Sequence, residues 1–212
     1  MRRVNILQHP LAGNCLRTLR NKETRVEGFR RAMYRLGVLL AVDATKDLRA
    51  ERDVVVTPLG VEAECSYVVD ERILLVPILR AGLGFLESFL EVLPGARVAY
   101  IGISRDHETL EARPYLDSVP EQPSGFDEVF VLDPMLATGN SSTKALEIIV
   151  SKGYPAERIK LVCAVAVKQG IEHVHRKFPE VEIIAAAIDP ELNERAYIVP
   201  GLGDAGDRLY LC

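Results

Sequence analysis

Five short apolar runs, at residues 73–79, 98–103, 129–132, 159–167 and 181–188, constrain this chain more than any other feature. They are rich in Val, Ile and Leu and are scarcely interrupted by polar residues. Strands buried on both faces of a sheet read this way. Stretches with helical spacing lie between them, at 85–93, 143–150 and 170–177. The alternation predicts an α/β fold, a mostly parallel sheet flanked by helices. Such sheets bind ligands beyond the carboxyl ends of their strands, so the residues that follow each run are the candidates for function.

The run at 129–132 leads into Asp133-Pro134-Met135-Leu136-Ala137-Thr138-Gly139-Asn140-Ser141-Ser142. That is strand, short polar loop, helix. Backbone N–H groups at the start of a helix converge on one point, and the helix dipole adds positive potential there. A phosphate suits such a place, and the acid before it suits sugar hydroxyls. The residues predict a ribose-phosphate site, with Asp133 on the ribose and residues 137–141 on the phosphate. An ordinary Gly-Ser turn of an α/β protein is the competing reading. Neither the Walker pattern nor G-x-G-x-x-G is present.

The run at 73–79 delivers Arg80 into a turn that holds Gly82 and Gly84. Arginine grips phosphate in bidentate fashion, and bare glycine backbone lets a ligand come close. A surface arginine at a loop tip is the plainer alternative. Residues 104–125 hold Ser104-Arg105-Asp106-His107 and then Pro114, Pro120 and Pro123, with no helical face. A long segment of this kind between core elements reads as an arm or lid. Arg105 and His107 are its candidates for an anionic substrate, His107 reading more simply as a solvated loop residue.

At the N-terminus, residues 11–42 read as two helices, with Thr24 as a cap and Glu27 completing a capping box. The second helix has a basic face (Arg25, Arg30, Arg31, Arg35), either solvated or part of a subunit interface. Residues 54–57 and 62–69 read as strands, and 46–53 as an exposed turn. Near the C-terminus, residues 200–208 hold three glycines, a proline and two aspartates, which predicts irregular structure. Apolar flanks (Tyr197, Ile198, Val199, Leu209, Tyr210) tie that loop down. Its bare backbone can present N–H and C=O groups to a flat polar ring.

Several functions are excluded or left without support. A net charge of −4 offers no field for a polyanion, so nucleic acid is not expected as a partner. The apolar runs are too short to cross a bilayer, and residues 1–13 lack a signal-peptide core, which makes cytoplasm the expected place. The four cysteines are scattered, without a C-x-x-C pair, and His173 and His175 lie two apart, on different helix faces. No protein metal site is expected.

Taken together, DPMLATG-x-S at 133–141, VPILRAGLG at 76–84, R-x-x-E-T-L at 105–110 and YI-x-PGLGDAGDR at 197–208 resemble the uracil phosphoribosyltransferase family. The HPL…LR…T…FR pattern near the N-terminus and A-x-I-D-x-x-L-N-E at 186–194 fit as well. The resemblance implies a type I phosphoribosyltransferase fold and a single domain over residues 1–212. That domain would have an extended arm at about 104–125 and a small hood at about 189–212 for the base. It implies transfer of phosphoribosyl from phosphoribosyl diphosphate to uracil, giving UMP and diphosphate. By position, Pro134, Met135, Leu136, Ala137, Thr138, Gly139, Asn140 and Ser141 would meet the phosphoribosyl group beside Asp133. Arg80 and Arg105 would take the diphosphate. Ile198, Gly203 and Ala205 would contact uracil through backbone groups, and Asp204 would lie between base and ribose. Asp133, Arg105 and Asp204 would be the catalytic residues. Mg²⁺ would be held mainly through phosphoribosyl diphosphate. The resemblance also implies a homodimer or higher oligomer and admits a GTP activator, for which no separable motif is found.

The chain departs from the family pattern at Asn140, where a second glycine is usual, and at Lys168-Gln169, Ala196 and Leu211-Cys212. The alternative left open is a non-catalytic or altered-base homologue acting as a nucleotide-binding regulator.

Overall fold

The computed structural model describes residues 4–105 and 112–211. The chain opens with β1 (Val4–Ile6), α1 (Pro10–Arg20), α2 (Val26–Thr45), β2 (Glu51–Val56) and β3 (Glu62–Tyr67). Next come β4 (Ile73–Leu79), α3 (Leu83–Val92), β5 (Arg97–Val98), β6 (Ile101–Arg105) and β7 (Ala112–Asp117). The second half holds β8 (Glu128–Leu132), β9 (Met135–Leu136), α4 (Asn140–Ser151), β10 (Ile159–Val167) and α5 (Lys168–Lys177). It ends with β11 (Glu182–Asp189), β12 (Glu191–Leu192), β13 (Ile198–Val199) and α6 (Ala205–Tyr210).

The main sheet has the order β1-β11-β10-β8-β4-β6-β7. Its pairs are parallel except β6 with β7. The expected mostly parallel sheet is therefore present, and the apolar runs explain it. All nine positions of β10 are buried, because helices cover both faces. Side chains alternate across a strand. In β8, Phe130 and Leu132 pack with α2 and α3, including Phe29, Met33, Leu36 and Phe89. Val129 and Val131 turn the other way, toward Leu146 and Ile149 of α4 and Val174 of α5. Phe89 and Phe130 stack at 5.6 Å between ring centres. Each such side chain contributes about 1.5–3 kcal/mol on burial. Phe130→Ala would cost about 3–5 kcal/mol.

Several local expectations are corrected. Thr24 does not cap α2: Arg25 holds that position without a side-chain bond. The Thr24 hydroxyl instead donates 2.7 Å to the Thr18 carbonyl, joining α1 to the turn. Residues 51–53 are strand rather than exposed turn, since β2 and β3 pair antiparallel from Glu51 with Tyr67 to Val56 with Glu62. Residues 98–103 split between β5 and β6. The arm contains regular structure: β7 runs back along β6, with an irregularity between Gly102 and Ile103. The loop after Gly203 becomes α6, because the Asp204 side chain accepts 2.9 Å from the Asp207 N–H and caps it.

Arg208 holds α6 down. It stacks on Phe29 at 4.1 Å and donates to the carbonyls of Leu19, Leu202 and Asn21. Arg20 ties α1 to the C-terminal region through a bidentate pair with Asp189 at 2.7–2.8 Å. No helix among the described residues is long and apolar enough to cross a membrane.

Candidate active site

The carboxyl ends of β4, β6 and β8 open into a cavity of about 520 Å³. β8 supplies Asp133, which is only 8% exposed. Its N–H donates 3.1 Å to the Val162 carbonyl, so β10 fixes the backbone. Its carboxylate accepts 2.9 Å from the Ser142 hydroxyl, the first buried turn of α4 reaching back. Behind it, burial and the Asp133 charge push the Cys163 thiol well up, so it stays protonated.

Gly139 ends the loop in a left-handed conformation, φ 83°, as the cap of α4. A side chain there would stand 2.9 Å from the Gly170 carbonyl, which excludes anything larger. Asn140, by contrast, is the first residue of the helix and not among the positive-φ residues. Its position makes no conformational demand for glycine, and its half-buried side chain faces the cavity. Residues 137–142 all line this cavity.

Arg80 enters from the end of β4, about half exposed, 3.5 Å from Asp207. The turn behind it is tight: a Cβ on Gly82 would meet the Leu132 carbonyl and the Ile78 backbone. Ser104 and Tyr115 close the far wall, Tyr115 lying over Gly102 where β7 slips register on β6.

A second cavity, about 340 Å³, adjoins the first. The two share Ala81, Met135, Ala137, Asp204 and Gly206. Its remaining wall is the turn Arg195-Ala196-Tyr197 with Ile198, Gly203 and Ala205. Among the described residues the charged side chains are few: Arg80, Asp133 and Asp204 in the first cavity, Arg195 and Asp204 in the second. One half is thus polar, helix-capped and acid-flanked, and suits a sugar phosphate. The other is mostly small side chains and backbone, and suits a flat ring.

The structure brings together Arg80, Asp133, Met135, Ala137, Thr138, Gly139, Asn140, Ser141 and Asp204 at the first cavity. It puts Ile198, Gly203, Asp204 and Ala205 at the second. Pro134 and Leu136 line neither. The Pro134 carbonyl accepts from Ala164 and Val165, and Leu136 is fully buried beneath the loop. Arg105 ends β6, but its side chain and all of His107 lie outside the described residues. Lys168 and Gln169 begin α5 and line neither cavity, Lys168 lying exposed 3.8 Å from Glu172. Sequence reasoning missed Ser142 as the partner of Asp133, and it missed Tyr115 and Arg195 altogether. The i,i+9 spacing of Asp133 and Ser142 across a strand–helix turn is the signal that could have found the first; the other two had none.

Among known proteins, a family model described as uracil phosphoribosyltransferase matches residues 6–212. A protein of Agrobacterium fabrum named uracil phosphoribosyltransferase is 44% identical over 207 residues, covering 98% of this chain and 97% of its own. One of the same name from Symbiobacterium thermophilum is 44% identical over 210 residues, covering 99% of each. The solved structure of the AQ2163 protein of Aquifex aeolicus superposes with a TM-score of 0.90 at 41% identity, covering 98% of this chain and 97% of that one.

Proposed function

The chain belongs to the uracil phosphoribosyltransferase family, and from that premise we infer that it transfers phosphoribosyl from phosphoribosyl diphosphate to N1 of uracil. The products are UMP and diphosphate. The observation that carries this reading is the shared wall of the two cavities, a sugar-phosphate half and a flat-ring half meeting at Asp204. UMP spans such a pair.

In this reading the helix cap at 137–141 takes the 5-phosphate and Asp133 takes the ribose hydroxyls. Arg80 takes the diphosphate, and Arg105 is assigned to the same group. Breaking the C1′–diphosphate bond builds positive charge on the ribose and negative charge on the leaving group. Asp133 and Asp204 favour the first, and the arginines favour the second. Ile198 and the 203–205 backbone hold the ring.

Among the described residues no group of three or more acidic, histidine or cysteine side chains could cage a metal. Single carboxylates such as Asp133 and Asp204, too few to cage the ion, suit Mg²⁺ carried in by substrate oxygens. When bound, Mg²⁺ neutralises charge on the leaving diphosphate. Cytoplasm remains our reading of its place, and a homo-oligomer and a GTP response belong to the same proposal. The test is direct. The protein, uracil, phosphoribosyl diphosphate and Mg²⁺ should yield UMP and diphosphate in equal amounts, with cytosine, xanthine and orotate poor substitutes. Absence of UMP while UMP itself binds tightly would favour a nucleotide-binding regulator instead.

A further inference from the structure

Among the described residues lining the second cavity, Arg195 is the one cation and Asp204 the one anion. Its turn is built, not loose. The Asn193 side-chain oxygen accepts from the N–H groups of Arg195 and Tyr197 at 3.0 Å each. Asn193 also exchanges backbone bonds with Tyr197 and Ala196 at 2.9 Å. The strands β12 and β13 close the turn from behind. Among the described residues, no carboxylate lies within ion-pair distance of Arg195. A fixed turn therefore places Arg195, with no ion-pair partner among the described residues, at the wall where a pyrimidine ring would sit.

The transfer needs such a charge. The ring's N1–H bond breaks and the proton passes to water. The electron pair left on nitrogen forms the N1–C1′ bond, while the C1′–O bond breaks and its pair leaves on diphosphate. Negative charge grows on the ring before the new bond is complete, spread over N1 and the two carbonyl oxygens. A nearby cation stabilises it, whereas Asp204 suits the positive charge on the ribose.

We propose that Arg195 is a further catalytic residue, stabilising the anion that develops on the pyrimidine ring; the proposal rests on the transferase reading above. Because Arg195 is exposed, water screens it, and the expected effect is about three- to tenfold.

The test compares kcat/KM for uracil and 5-fluorouracil in the wild type, Arg195→Ala and Arg195→Lys. Fluorine withdraws electrons, so the fluorinated ring releases its N1 proton more readily and depends less on the cation. Arg195→Ala should lose about tenfold with uracil and no more than about threefold with 5-fluorouracil. Arg195→Lys should recover most of the loss. Equal losses on the two bases, no loss on either, or a lysine variant as impaired as alanine would overturn the proposal. If the wild type turns over neither base, the transferase reading itself has failed, which is a separate result.

Discussion

Ser142, on the first turn of α4, donates a 2.9 Å hydrogen bond to the carboxylate of Asp133 at the end of β8. Both residues are buried. The bond joins the two structural parts that make the sugar-phosphate half, the strand end and the helix start. A hydrogen bond to a charged group contributes about 1.5–3 kcal/mol. Ser142→Ala should therefore lower stability by about 1.5–3 kcal/mol in urea unfolding. It should also raise KM for phosphoribosyl diphosphate roughly tenfold, with KM for uracil changed far less. Equal changes in both would show that the bond supports the whole fold and not the orientation of Asp133.

Asp189 links the N-terminal helices to the base loop. It pairs with Arg20 and accepts 2.9 Å from the Gly201 N–H, while Arg20 donates 2.9 Å to the Gly201 carbonyl. Asp189 is 5% exposed, so its loss strands Arg20 in a partly buried position. Asp189→Ala should cost about 2–3 kcal/mol of stability and raise KM for uracil. In a double-mutant cycle with Arg20→Ala the coupling should exceed about 1 kcal/mol. Simple additivity would contradict the link.

Ala196 sits at φ 60°, a region that costs a residue with a Cβ about 1–2 kcal/mol. Glycine relieves that strain but gives the unfolded chain about 0.4–1 kcal/mol more freedom. Ala196→Gly should therefore hold or slightly raise the urea midpoint. A fall worth about 1 kcal/mol, the usual result of glycine in ordinary backbone, would show that the methyl group packs usefully.

The β2–β3 hairpin exposes Val54, Val55, Val56, Leu59 and Val61. Large apolar side chains left in water are candidates for a protein–protein contact, and we propose a second copy of the chain as the partner. Light scattering should give at least a dimer, and the pair Val56→Lys with Leu59→Lys should shift it toward monomer. An unchanged mass would assign the interface to another surface.

The sheet was legible because strands buried on both faces cannot alternate, so 73–79, 159–167 and 181–188 stand out. Asp133 and Arg80 were legible for a related reason, since each directly follows such a run, and the 137–141 loop begins four residues beyond Asp133. α6 was not, because its glycines count against a helix, and the Asp204 cap with Arg208 on Phe29 outweighs them only in three dimensions. Thr24 misled because its hydroxyl finds the Thr18 carbonyl across the turn, a contact no local pattern encodes. Arg195 was invisible for the same reason. Only the folded β12–β13 turn brings it to the second cavity. Asn140 looked like a conformational misfit, yet its backbone is ordinary helix.

The central claim is that the two cavities are halves of one site. Equilibrium dialysis with labelled uracil and labelled phosphoribosyl diphosphate, each displaced by unlabelled UMP, tests it most directly. One UMP per chain should displace both ligands, with the same apparent affinity. Displacement of one ligand alone, or uptake of UMP alongside both, would contradict the account.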